Sequence, residues 1–283
     1  MKKACLIISI LVFVLIVLVL ALSVISKQVP LVDRVAVVRV EGTIVSAQDV
    51  IDQLKEYSKD SSVKAVVLRI NSPGGAVAPS QEIYEEVKKL KKKKPVVVSM
   101  GALAASGGYY ISAPATRIYA NPGTITGSIG VIMEIPNLKG LMDKVGIKTE
   151  VIKSGKHKDL ASVFRGIGKE ERKILQGVLD DVHDQFIRAV AEGRNIPYSD
   201  VKKIADGRIF TGRQAKAIGL VDEIGNMEDA IREAARLGGI RGEPHVVEKR
   251  ETPSILQYLT GTITRNYKGL LEGTFSVKYL LYY

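Results

Sequence analysis

Gly101 to Ser112, GALAASGGYYIS, directly follows the apolar run Pro95-Val96-Val97-Val98-Ser99-Met100. A short apolar run bounded by proline and small residues reads as a buried strand. The strand leads into a chain of small side chains with one serine before two glycines. That arrangement lets backbone and hydroxyl meet a substrate where bulk would block it. Ser106 is the candidate nucleophile, at a predicted helix N-terminus whose positive dipole end favours an oxyanion. The same residues also read as a tight strand-to-helix turn, in which Ala104, Ala105, Gly107 and Gly108 only allow close packing.

Two other stretches bear on that choice. Ile70-Asn71-Ser72-Pro73-Gly74-Gly75 again closes a strand-like run, Lys64 to Arg69. Paired glycines at a strand end can aim bare backbone N–H groups at a developing oxyanion, which needs donors fixed before the charge appears. Ser154-Gly155-Lys156-His157-Lys158-Asp159 then puts lysines 50 and 52 residues beyond Ser106. The three stretches suggest a serine, a base and an oxyanion hole.

Five stretches in a fixed order, NSPGG, AASGGYYIS, TGSIGVI, SGKHKD and DGRIFTGRQAKAIGLVDEIG, resemble the bacterial signal peptide peptidase A family in its single-domain form, over about Arg34 to Leu237. The resemblance implies an α/β, Clp/crotonase-like fold, a mostly parallel sheet flanked by helices, and serine-lysine peptidase chemistry. It assigns the general base to the lysine directly before Asp159, hence Lys158, with Lys156 the less favoured choice. Ser128, in the TGSIG stretch, matches a serine that orients the lysine, and reads equally as a turn hydroxyl. The backbone N–H groups of Gly75 and Gly107 are the expected oxyanion hole. Asn71 stands where the family often has aspartate, a departure that touches the turn more than the chemistry. Family members assemble as homo-oligomeric rings, which opens the pairing of serine and lysine from adjacent protomers.

A serine hydroxyl is a poor nucleophile until a neighbouring base takes its proton. The related Clp proteolytic subunit uses a histidine a few dozen residues after its serine, but Gly107 to Lys156 contains none. A lysine base must be neutral, and moving an amine from pKa ~10.4 to near 7 costs ~4 to 5 kcal/mol, a size that burial and nearby cations supply. Lys153, Lys156 and protonated His157 are the available cations. Asp159 opposes the shift unless it points away.

The chain has 283 residues, 46% of them hydrophobic, ample for one large core. Its formal charge of +11 suits an anionic membrane surface. No aromatic-interleaved basic groove or nucleic-acid motif accompanies it. Cys5 is the one cysteine, so no intrachain disulfide or cysteine-based metal site is available. No cofactor or metal is expected. Ala4 to Ile25 carries no charge over 22 residues, between Met1-Lys2-Lys3 and Lys27. That length fits a retained transmembrane helix better than a cleavable signal, with Ala21-Leu22-Ser23 a weak cleavage site. The lysine bias puts the N-terminus in the cytoplasm and the rest outside the cytoplasmic membrane. The resulting organisation is a membrane anchor over residues 1–27, a peptidase domain over 28–240 and a C-terminal extension over 241–283.

Strands are expected at Arg34–Val40, Lys64–Ile70, Val96–Ser99, Arg117–Ala120, Gly130–Ile132 and Lys148–Ile152, and helices at Ala47–Tyr57, Ser80–Lys93 and Met227–Leu237. A long helix over Glu170–Glu192 carries Ile174, Val178, Val182, Phe186 and Val190 and closes at Gly193. Lys91 to Lys94 reads as a solvated helix end, Tyr109 and Tyr110 as core, and His183 as a surface or boundary histidine. Ser254–Leu271 gives a weak amphipathic helix. Phe275–Tyr283 is apolar and β-prone, suited either to the substrate groove or to an edge strand at a subunit interface.

The expected activity is therefore a membrane-anchored serine endopeptidase that cleaves remnant signal peptides and other extended apolar segments. A stomatin-partner-type membrane protease is the nearest alternative, and would need a long hydrophobic membrane region after Gly238. A crotonase-type acyl-CoA enzyme would use carboxylates and need neither Ser106 nor Lys158. A membrane-tethered assembly protein with a decayed site is the non-enzymatic reading.

Overall fold

Strand β1 (Arg34–Glu41) is buried on both faces because every second residue serves a different layer. Val35 and Val37, with Ala65, Val67 and Val97, pack against Ala230, Ile231 and Ala234 of helix α9 (Met227–Leu237). Ala36, Val38 and Val40, with Val66, Leu68, Ile70 and Val98, meet Leu54 of α2 (Gln48–Lys59) and Ile83, Val87 and Leu90 of α3 (Val77–Lys91). Each such valine, leucine or isoleucine, taken fully out of water, contributes about 1.5–3 kcal/mol. The result is a three-layer α/β architecture in a computed structural model that describes residues 10–18, 32–249 and 278–281.

β1 pairs parallel with β2 (Val63–Ser72), and β2 with β4 (Val96–Ala105). β5 (Arg117–Ala120) and β6 (Ile125–Gly127) share the far side of β4, its first and second halves respectively. β8 (Glu223–Ile224) adds to β5, and β9 (His245–Glu248) adds to the free side of β1. Only β7 (Ile209–Thr211), on β6, runs antiparallel in this sheet. A mostly parallel sheet flanked by helices is therefore what the chain builds, with α4 (Gly107–Ser112) springing directly from the end of β4.

Several expectations need correction. β4 continues through the small residues to Ala105 rather than stopping at Ser99, since β6 gives its second half a ladder partner. No strand forms at Gly130–Ile132 or Lys148–Ile152. The first makes one isolated bridge, Ile132 to Lys278, and the second lies in exposed coil with no neighbouring strand to pair with. Residues 131–168 instead form a largely exposed arm with one short helix, α5 (Lys139–Lys144). Helix α6 (Lys169–Arg194) runs past Gly193 and closes at Asn195, whose φ of 53° supplies the left-handed cap. Ile174 and Val178, the start of its apolar row, are exposed, while Phe186 and Val190 are buried. Two lysines of the run Lys91–Lys94 are not simply solvated. Lys91 donates to Ala115 O (3.2 Å), and Lys94 to Tyr57 O and Asp60 O (2.5 and 2.6 Å).

Residues 10–18 are helical (α1) and exposed, and the rest of the expected Ala4–Ile25 anchor lies outside the described residues. Among those described, no helix is long and apolar enough to cross a membrane. The helix expected over Ser254–Leu271 also lies outside them. The C-terminal segment joins the fold as β10 (Lys278–Leu280), which pairs antiparallel with β3 (Gly74–Ala76).

Candidate active site

Ser106 is set between the last residue of β4 and the first of α4 with φ 52° and ψ −118°. A non-glycine residue held at positive φ costs on the order of 1–3 kcal/mol and persists only where its surroundings enforce it. Here the enforcing contacts are backbone bonds. The Ser106 N–H donates to Gly127 O, and the Tyr110 N–H donates to Ser106 O, both at 2.8 Å. The Ser106 hydroxyl is buried and has no hydrogen-bond partner among the described residues. A buried polar atom left unsatisfied calls for an explanation, and a nucleophile awaiting a base and a carbonyl supplies one. Ser128 follows Gly127 directly, also at positive φ (51°), and its N–H donates to Arg208 O at 2.8 Å. Ser106 and Ser128 are thus neighbours through the end of β6.

Where β4 nears the serine it bulges against β2: Ile70 faces Met100, but Ser72 faces Ala104. Asn71 fills the slack, its Oδ1 accepting from the Leu103 N–H at 3.2 Å. That is the structural use of this asparagine. β3 starts immediately after, at the same level as Ser106. Ile44 N–H donates to Gly74 O and Ala76 N–H to Ile44 O, both at 2.8 Å, which turns the N–H and C=O of Gly75 toward the opposite edge. Gly74 has φ +98°, and a Cβ there would stand 2.6 Å from Gly107 N. A side chain at Gly107 would in turn lie 3.2 Å from Gly75 N. The absence of side chains is what lets the two loops touch, and it brings the Gly75 and Gly107 amides together beside Ser106.

The chain's own C-terminal segment lies across these loops. β10 runs with Tyr279 opposite Gly75 and Leu280 opposite Gly74, and its other edge exchanges two 3.1 Å bonds between Lys278 and Ile132. The Leu281 N–H donates to Pro73 O at 2.9 Å. By the alternation of an antiparallel ladder, Tyr279 and Gly75 are the next hydrogen-bonded pair, which directs the Gly75 N–H at the Tyr279 carbonyl. The same oxygen would lie 2.1 Å from a Cβ at Gly74, so it sits at the meeting point of the two glycine loops. The Tyr279 ring is fully buried, stacked on Tyr110 (5.1 Å between centroids) and tilted against Phe186 (4.7 Å). Its hydroxyl donates to Val182 O at 3.1 Å. Tyr109 is core as expected, donating to Leu220 O at 2.9 Å. Tyr110 is core too, its hydroxyl pushed up to about 12 by burial, but one ring face belongs to the cleft. Beyond Leu280 and Leu281 opens a cavity of about 350 Å³, lined by Ser128, Ile132, Asp180, His183 and Asp206. The Nε2 atom of the boundary residue His183 is buried there without a partner among the described residues.

Lys158 is elsewhere. It sits exposed on a turn of the arm and is hydrogen-bonded neither to Ser106 nor to Ser128 of the same chain. The three lysines of this turn differ in pairing. Lys153 donates to Asp159 Oδ1 at 2.6 Å and Lys156 is bonded to Glu170, whereas Lys158 makes no ion pair among the described residues. His157 Nε2 lies 3.4 Å from Glu170. Asp159 points toward Arg165, 2.9 Å from Nε, and Arg165 and Lys153 together hold its carboxyl far below the usual range. Arg165 belongs to none of the sequence motifs. Its one signal there is the pair Glu170-Glu171 a few residues on, which helix-dipole logic already explains. The arm also exposes Leu141, Val145, Ile147, Val151 and Ile152.

A mostly parallel sheet that ends in a strained, buried serine beside two glycine amides defines a hydrolase of the Clp type, and residues 26–124 match the Clp protease family model. Residues 88–241 match the model of peptidase family S49. A protein of Synechocystis sp. with the provisional name of protease is 46% identical over 231 residues, covering 81% of this chain and 83% of that one. A provisionally named signal peptide peptidase of Enterococcus faecium is 39% identical over 80% of this chain and 66% of its own length. Protease 4 of Haemophilus influenzae is 39% identical over 72% of this chain but only 35% of its own length. The chain belongs to peptidase family S49.

Proposed function

We propose that this chain is a membrane-anchored serine endopeptidase with a Ser106–Lys158 dyad, acting on remnant signal peptides and other extended apolar segments at the outer face of the cytoplasmic membrane. The observation that carries this reading is the β10 segment, an extended stretch held between β3 and Ile132 with Tyr279 opposite Gly75 and its carbonyl close to the Gly74–Gly107 contact. The cleft takes backbone by strand addition and reads side chains by pockets, which suits substrates that are apolar and unfolded.

In the reaction the neutral Lys158 amine takes the Ser106 proton as Oγ attacks the carbonyl carbon of the bound peptide. The carbonyl oxygen becomes an oxyanion between the Gly75 and Gly107 N–H groups, where preorganised donors stabilise developing charge. Collapse expels the leaving amine, which receives the proton from Lys158, and leaves an acyl ester on Ser106. Water, deprotonated by the same lysine, then attacks the ester and frees the serine. Ser128 is the hydroxyl we assign to orienting that lysine. Because Lys158 stands on an exposed arm with an apolar surface, its partner serine is that of an adjacent protomer in a homo-oligomeric ring.

The test is labelling of the purified assembly with a fluorophosphonate, alongside turnover of an apolar fluorogenic peptide. Label on Ser106 and turnover abolished in Ser106→Ala are expected. No label and no turnover would leave a tethered assembly protein with a decayed site as the better reading.

A further inference from the structure

The turn that bears Lys158 is tied to α6 by one side chain. Arg165 donates to Asp159 Oδ2 (2.9 Å), to the Asp159 carbonyl (3.1 Å) and to Gly166 O (3.1 Å), and forks onto both carboxylate oxygens of Glu171. Glu171 is itself fixed, accepting from the Gly168 N–H at 2.9 Å at the start of α6. An arginine fork is a planar device with preset donor directions, so a residue bonded by several of its N–H groups has little freedom left. The neighbouring link is looser, since Lys156 and His157 meet the more exposed Glu170.

Charge is sorted by the same contacts. Lys153, Lys156, His157, Asp159 and Arg165 are the charged groups of the turn beside Lys158, and Glu170 and Glu171 are the α6 carboxylates bonded to it, with Lys169, Arg172 and Lys173 in the same helical turn. Asp159 is claimed by Arg165 and Lys153, Glu171 by Arg165, and Glu170 by Lys156 and His157. All three of these acids are engaged by groups other than Lys158.

We infer that Arg165 is a positioning residue for the Lys158 base: it fixes the turn against α6 and holds the adjacent Asp159 carboxylate turned away and balanced, so that the base can work uncharged. This rests on the dyad reading above, in which Lys158 touches the reacting serine and Arg165 acts only through the turn. Glu171, held at a pKa of about 2 by the Arg165 fork, keeps that fork charged and intact across the working pH range.

The experiment is a pH profile of kcat/KM for apolar-peptide hydrolysis by the full-length assembly and its variants. Arg165→Gln is expected to lower kcat/KM about 10- to 100-fold, the cost of a misplaced catalytic group. It is also expected to move the acid limb up by roughly 0.5–1 pH unit, because Asp159 now favours the protonated base. Arg165→Gln combined with Asp159→Asn is expected to return the limb to within about 0.3 unit of wild type, on the same charge argument. Arg165→Lys keeps the charge and loses the fork, so it is expected to lower kcat without moving the limb. An unmoved limb in Arg165→Gln, or one that moves in Arg165→Lys, overturns the inference. Should Arg165→Gln not assemble, Arg165→Lys alone still decides it. Lys158→Ala separates the two levels. Full activity there sinks the dyad itself, whereas an inactive Lys158→Ala with unmoved limbs in the Arg165 variants sinks only the role of Arg165.

Discussion

At the scale of single residues the site is a set of groups held in costly states. Ser106 combines positive φ with an unsatisfied hydroxyl, and Gly74 and Gly107 occupy positions that no side chain can share. Substitution at Gly107 would put a Cβ 2.7 Å from Ser80 Oγ and 3.1 Å from Gly74 Cα, so Gly107→Ala must push the two amide donors apart. A loss of ~10²- to 10³-fold in kcat, of the size seen when one oxyanion donor is removed, is expected while KM changes little. Lys158→Ala and Lys158→Arg should both remove turnover, since a guanidinium does not give up its proton at usable pH. Lys156→Ala should keep it, because that ammonium is engaged by Glu170. Steady-state assays of the three variants settle the assignment; activity lost in Lys156→Ala but kept in Lys158→Ala would move the base by two residues. The serine and the glycine pairs were legible because small residues at a strand end leave a sequence signature. Arg165 was not, since a lone arginine in a loop looks the same whether it binds water or five acceptors.

At the scale of elements, strand and helix positions followed from periodicity wherever a residue had to choose between two buried faces, as in β1, β2, α2 and α9. The arm defeated that reading. Lys148–Ile152 has the composition of a strand and no ladder neighbour within the chain, and what such a segment does depends on a surface that a single sequence does not display. The tail is the opposite case. Its β-prone composition left groove and interface edge both open, and Tyr279 is seen paired with Gly75 of its own protomer, the contact that a groove occupant would make. A tethered segment competes with substrate at an effective concentration of about a millimolar. Truncation after Gly273 is therefore expected to lower the apparent KM for an apolar peptide, or raise turnover at fixed peptide, with the assembly intact by light scattering. Dissociation with lost activity would instead mean that the tail serves an interface. Phe186→Ala, which opens the aromatic pocket around Tyr279, should weaken the tail's hold and mimic part of the truncation.

At the scale of the whole molecule, the direction of the sheet fixes where the site lies relative to the start of β1. β1, β2 and β4 run parallel, with Arg34, Val63 and Val96 at one end and Gly74 and Ser106 beyond the other. β1, which follows the apolar N-terminal stretch in sequence, begins at the first end. A strand advances about 3.3 Å per residue, so the eight residues of β1 alone separate that entry from the site by roughly 26 Å. Lys59, Lys92 and Lys93, at the ends of the helices that return to the entry end, are exposed there, and under the proposed anchoring they would face an anionic membrane surface. Anchoring as proposed would hold the site off the bilayer and require it to be fed by segments that leave the membrane. Deleting Met1 to Ser26 removes no residue of the sheet, the cleft or the arm. The shortened chain is therefore expected to be soluble, to assemble, and to cleave a soluble apolar peptide at close to the full-length kcat. Its turnover of a membrane-inserted signal-peptide remnant in anionic vesicles should fall at least tenfold, because the advantage of co-localisation on the membrane is gone. Equal rates on the vesicle-borne substrate would show that the N-terminal segment contributes nothing to substrate access, and loss of fluorophosphonate labelling at Ser106 would show that it does more than tether.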